Sequence, residues 1–163
     1  MNLSYAQLER ADFVHDVIHA LDDAEFPAGN LCLEVTERCR LLNTNQLKRI
    51  FSTLKEKGIR IALDDFGTGF SSLGILRELP VNTVKIDRGY VMNIECDARD
   101  RNTVKFISDL AKSFNAEVCA EGIETQGMRE ELRKLEVTSL QGYYYSKPIE
   151  IGEFYGKFFD GLA

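Results

Sequence analysis

The chain has 163 residues, 44% of them hydrophobic, with 26 acidic residues against 20 Lys and Arg. That length suits one domain able to bury about two thirds of its unfolded surface, and the net charge of −6 argues against a DNA or RNA binder, which needs a basic face. No apolar run approaches the roughly 18 residues of a membrane span, residues 1–5 lack the features of a signal peptide, and four cysteines without Cys-x-x-Cys spacing read as reduced thiols of a cytoplasmic protein.

Along the chain the apolar pattern alternates between two periods. Ser4 and Gln7 form a capping box, followed at roughly helical spacing by Leu8, Phe13, Val14, Val17, Ile18 and Leu21. Residues 31–37 alternate as a strand. Thr44 opens a helix through Leu47, Ile50, Phe51 and Leu54 that closes at Gly58. A strand over 59–63 runs into Asp64, Asp65 and a Gly-rich turn, and a short helix over 71–79 follows. The pattern continues with a strand at 83–87, a helix at 98–114, a strand at 117–121, a helix at 126–136, a strand at 140–143 and a closing helix at 151–159. Such alternation predicts βαβ units and a parallel sheet.

The polar residues fall at the strand ends. Glu34, Asp64, Lys85, Glu121 and Gln141 each sit in or just after a short apolar strand, about one βα unit apart. In a doubly wound sheet such ends spread along a crevice, whereas in a barrel they converge on one mouth, so five polar ends fit a barrel better.

Asp64 and Asp65 carry the most information. Adjacent strand side chains point to opposite faces, so both can serve one site only where the strand ends and turns, which Gly67 and Gly69 permit. A solvated turn is the plain alternative. Glu34, between Leu33 and Val35, needs a partner if it faces inward; otherwise it is a solvated strand residue, and Glu121 poses the same question. Hard oxygen donors of this kind suit Mg²⁺ or Mn²⁺. Lys85, between Val84 and Ile86, is either a snorkelling strand lysine or a fixed charge beside the carboxylates. His15 and His19 stand at i,i+4 spacing without a visible third ligand and read as solvated. Residues 143–145, all tyrosine, read as packing more than as a stacking platform.

Residues 2–4, 34–37, 64–72, 84–87, 120–124 and 141–143, in this order and spacing, resemble the EAL domain, the bacterial cyclic di-GMP phosphodiesterase family. The resemblance implies a TIM-barrel-like α/β fold that hydrolyses one phosphodiester of cyclic di-GMP to linear pGpG by two-metal catalysis with Mg²⁺ or Mn²⁺. Carried over by position, Asn2, Glu34, Asp64 and Asp65 resemble metal ligands, and Lys85 and Glu121 resemble the groups that orient the attacking water. Gln141 would join the metal-bound water network, Glu124 the substrate-side wall, and Glu37 would hold the Asp64–Ser72 loop, which contains Gly67 and Thr68, in place.

The family's Glu-Ala-Leu strand belongs upstream of Asn2 and is not in this sequence. The expectation is therefore a single partial domain over residues 1–163, with about six of eight βα units. Weak or absent hydrolysis and self-association as a homodimer through the open barrel edge are expected with it. A non-catalytic module that binds cyclic di-GMP or a protein is the alternative. An enolase-like barrel, in which Lys85 would abstract a proton, fits the paired aspartates less well.

Overall fold

Six strands and seven α-helices alternate in the computed structural model, which describes residues 1–36, 39, 43–67 and 72–159. The strands are β1 (Asn2–Leu3), β2 (Cys32–Thr36), β3 (Arg60–Phe66), β4 (Thr83–Ile86), β5 (Glu117–Glu121) and β6 (Ser139–Gln141). They form one sheet in sequential order, and every neighbouring pair is parallel. Among the described residues β1 and β6 do not pair with each other. The architecture is that of a TIM-like barrel left unclosed.

The helices are α1 (Tyr5–Leu8), α2 (Phe13–Asp23), α3 (Thr44–Glu56), α4 (Ser72–Glu78), α5 (Ala98–Ser113), α6 (Gln126–Lys134) and α7 (Ile151–Phe158). Local signals set their ends. The capping box is present, with Gln7 N donating to Ser4 Oγ and Ser4 N donating to Gln7 Oε1. Asn43, Asp97 and Thr125 cap α3, α5 and α6 through side-chain oxygens, and Gly58 follows α3 with φ 85°.

The first helical stretch differs from the sequence reading, because residues 9–12 interrupt it. Leu8 and Phe13 are five residues apart, which in one continuous helix would set them on opposite sides. Breaking the helix lets both enter the core, where they are 1% and 6% exposed. Arg10 bridges the break by donating to Asp12 and Asp16.

Strand alternation sorts the sheet into two faces. Leu33, Val35, Ile61, Leu63, Val84, Ile86, Val118 and Ala120 lie on the face packed against helices, and all are buried. From α3 and α5, Leu47, Phe51, Leu54, Val104, Ile107 and Ala111 cover it. Apolar area removed from water here, worth roughly 25 cal/mol per Å², holds the sheet together and fixes which residues face the other way. α7 is the exception: its residues are all exposed.

Candidate functional site

Register brings the polar strand-end residues onto one face. Asn2 pairs with Glu34, Glu34 with Ala62, Thr36 with Asp64, Ala62 with Thr83, Lys85 with Cys119 and Glu121 with Gln141. Register partners in a parallel sheet share a face, so Asn2, Glu34, Asp64, Lys85, Glu121 and Gln141 all project from the side opposite the helices.

The two aspartates reach this rim by a bulge. Leu63 pairs with Val84 and Phe66 with Ile86, so Asp64 and Asp65 together stand opposite Lys85. One extra residue is thereby inserted into β3, and Asp65 takes up the left-handed conformation, φ 54°. Aspartate tolerates this region better than most residues. The turn expected at the glycines thus begins earlier, at Asp65 itself, with Gly67 following at φ 99°.

Lys85 stands at the centre. Its side chain is 6% exposed, and its Nζ lies 2.7 Å from Glu121 Oε1 and 3.1 Å from both Glu34 Oε1 and Asp64 Oδ1. Burial disfavours the charged ammonium, but pairing with the Glu121, Glu34 and Asp64 carboxylates outweighs that penalty and holds its pKa above the ordinary lysine value. Lys85 is therefore a permanent cation here and not a snorkelling strand lysine.

Carboxylates outnumber it. Ligand oxygens of Asp64, Asp65 and Glu121 lie within 4.8 Å of one another, and Glu34 approaches from β2. Four carboxylates around one ammonium leave an excess of negative charge, which cations or protons must offset. Among the described residues Asp64 Oδ1 is buried without a hydrogen-bond partner, although Lys85 Nζ lies 3.1 Å away. An acceptor that is desolvated and unfilled, beside two further carboxylates, suits a hard divalent cation. The thiols on the same face do not compete, since burial raises the pKa of both Cys32 and Cys119.

The remaining candidates surround this cluster. Gln141 and Glu124 line a cavity of about 220 Å³ with Glu121, Arg88 and Tyr143. Glu124 Oε1 accepts from Arg88 Nη2 at 2.7 Å. Asn2 is exposed at the sheet edge. Glu37 and Thr68 lie outside the described residues. His15 and His19 are exposed, and His19 meets Asp23 at 2.8 Å. The tyrosines at 143–145 are 58%, 38% and 44% exposed, so packing does not account for them. Sequence reasoning missed Arg88 and Tyr90, whose partners are distant in sequence; their place just after a strand was the only available signal.

The model of the EAL domain matches residues 1–148. The chain belongs to the EAL domain family. It is 38% identical over 151 residues to the cyclic di-GMP phosphodiesterase NbdA of Pseudomonas aeruginosa, covering 93% of this chain and 19% of NbdA. Among solved structures, the EAL domain of Mycobacterium smegmatis DcpA superposes with a TM-score of 0.92 at 34% identity, covering 96% of this chain and 70% of that one. A manganese/cy-diGMP complex of Klebsiella pneumoniae BlrP1 superposes with a TM-score of 0.83 at 26% identity, covering 91% and 38%. The chain spans about a fifth of the length of the curated relatives it matches. No described helix is long and apolar enough to cross a membrane.

Proposed function

We propose that this EAL chain, a single partial domain over residues 1–163, carries the catalytic rim of a cytoplasmic cyclic di-GMP phosphodiesterase that yields linear pGpG. The observation that carries this reading is the buried Lys85 ammonium held by Glu34, Asp64 and Glu121, with Asp65 beside them. The relative NbdA is a cyclic di-GMP phosphodiesterase by name, and BlrP1 was solved with manganese and cy-diGMP.

In this reading Asn2, Glu34, Asp64 and Asp65 hold two divalent cations, Mg²⁺ or Mn²⁺. When bound, these supply charge against the phosphate and lower the pKa of a water. The chain's own groups do the rest. Glu121 orients the attacking water and takes up its proton, while Lys85 Nζ fixes the Glu121 carboxylate and adds positive charge where it develops on phosphate oxygen. A P–O bond forms to water, the P–O bond to one ribose breaks, and a proton passes to the leaving oxygen. Gln141 contributes to the water network, Glu124 forms the substrate-side wall, and Gly67, Thr68 and Glu37 belong to the supporting loop.

The test is hydrolysis of cyclic di-GMP followed by chromatography, with Mn²⁺ and with EDTA. Metal-dependent appearance of pGpG, lost in Glu121→Gln, supports the reading; no product at any metal concentration contradicts it. A second reading, binding without turnover, is favoured by the exposure of Asn2 at the sheet edge. Tight binding of cyclic di-GMP with no pGpG would select it. We further propose that the chain self-associates as a homodimer through its unpaired sheet edges, which light scattering after size-exclusion chromatography tests directly.

A further inference from the structure

Directly after β4 the chain makes a tight turn, residues 87–90, that touches the loops on both sides. Asp87 Oδ1 accepts from Gly89 N at 2.9 Å, and Tyr90 N donates to Asp87 O. Fully buried Val91 and Ile94 tie the segment that follows to the core, so the turn has a rigid base.

On the β3 side, Tyr90 Oη donates to Gly67 O at 2.6 Å. The ring lies so close to Gly67 that a Cβ there would meet Tyr90 Cε2 at 2.9 Å, and Gly67 has φ 99°. This contact falls two residues after Asp65, whose left-handed backbone makes the two aspartates neighbours. On the β5 side, the Arg88 stem lies against Gly122, where a Cβ would fall 2.5 Å from Arg88 Cγ, and the guanidinium pairs with Glu124 at 2.7 Å. Gly122 directly follows Glu121. Both contacts thus land just past a carboxylate of the cluster, and both fall on glycines at positive φ.

We propose that the 87–90 turn is a bracket, with Tyr90 and Arg88 as positioning residues that set where Asp65 and Glu121 stand relative to Asp64 and Lys85. The consequence for cation binding rests on the two-cation reading above; the mechanical part does not. Tyr90 is the stronger arm. Its hydroxyl bond is half-buried, whereas Arg88 and Glu124 are 52% and 43% exposed, and such exposed pairs contribute little. The bulged end of β3 needs the support, because bulging leaves it fewer ladder bonds.

The experiment compares wild type, Tyr90→Phe and Arg88→Met in two measurements. In metal-free protein, amide hydrogen exchange at residues 64–67 should rise about 5-fold in Tyr90→Phe, the size expected for one lost hydrogen bond. Helix α5 should be unchanged, and the corresponding effect in Arg88→Met should be smaller and confined to 121–124. Unaltered exchange at 64–67, or a uniform rise across the sheet, would overturn the bracket. Mn²⁺ titration then reads the functional consequence, and Tyr90→Phe should bind several-fold more weakly while its melting temperature in EDTA falls by no more than about 2–4 °C, the size of one lost hydrogen bond. Equal affinity overturns the positioning role. Failure of the wild type to bind Mn²⁺ at all overturns the two-cation reading and the positioning role toward the cations, leaving the exchange data to judge the bracket.

Discussion

Lys85 neutralises one of the carboxylates pressed against it and orders the others, so its removal has two opposed consequences. Lys85→Met leaves Glu34, Asp64 and Glu121 crowded and uncompensated. The cost is on the order of 2 kcal/mol, below the roughly 3–5 of a fully buried pair, because each carboxylate keeps some solvent contact. Divalent cations should recover part of that loss, so Mn²⁺ should raise the melting temperature of Lys85→Met by more than that of wild type. Catalysis should not recover, and kcat should fall by about 10²–10³, the range for one lost charge-stabilising group. Calorimetry and chromatography of the same preparations check both statements. The pH behaviour follows from the raised pKa of Lys85. A raised folded value means that its stabilising contribution is complete below the unfolded value of about 10.4 and is lost only as pH rises through the folded one. Metal-free wild type should therefore show no Lys85-dependent loss of stability between about pH 6 and pH 9, the loss setting in only at more alkaline pH, read as melting temperature against pH. The polar strand ends were legible at this scale because Glu34, Asp64, Lys85 and Glu121 interrupt otherwise apolar strands. Tyr90 and Arg88 were not, because neither the 2.6 Å bond to Gly67 nor the 2.7 Å pair with Glu124 has any trace in local spacing.

Elements were legible where apolar period and caps agreed. Strand β5 and helices α3 and α5 lie where alternation and capping placed them, within two residues. The split between α1 and α2 depended on noticing that a five-residue step from Leu8 to Phe13 cannot stay on one helical face. The β3 bulge was hidden for a different reason: period-2 alternation does not reveal an inserted residue, and only pairing with β4 does. A prediction belongs to that bulge. Asp65 contributes its carboxylate by virtue of φ 54°, so Asp65→Asn should keep the fold and weaken Mn²⁺ binding by at least about 10-fold, whereas Asp65→Val should also lower the melting temperature, since a β-branched residue resists that backbone. α7 makes the opposite case. Its apolar residues Ile151, Phe154, Tyr155 and Phe158 are 39–70% exposed, so deleting residues 151–163 should shift the melting temperature little and leave self-association through the sheet edges intact in light scattering.

At the scale of the whole molecule, a parallel sheet normally has both faces covered. Here helices cover one face, and the other carries the acidic rim, with six strands that, among the described residues, do not close on themselves. Barrel topology was readable from the strand-to-strand spacing of polar ends. The open edge was expected from the resemblance and not from the pattern of any one strand, and the six-stranded sheet, in which β1 and β6 do not pair among the described residues, agrees with it. The rim ties stability to cations: if the carboxylates share divalent ions, Mn²⁺ at about 100 times its dissociation constant should add about 2.7 kcal/mol, reversed by EDTA, while a monovalent salt of equal ionic strength should not reproduce it.

The most direct measurement is anomalous diffraction from a crystal soaked in Mn²⁺. Two peaks about 3.5–4 Å apart, both within coordination distance of Asp64 or Asp65 oxygens and reached by Glu34, are the predicted result. Peaks confined to surface carboxylates, with the Asp64 and Asp65 oxygens bonded only to protein or water, would contradict it.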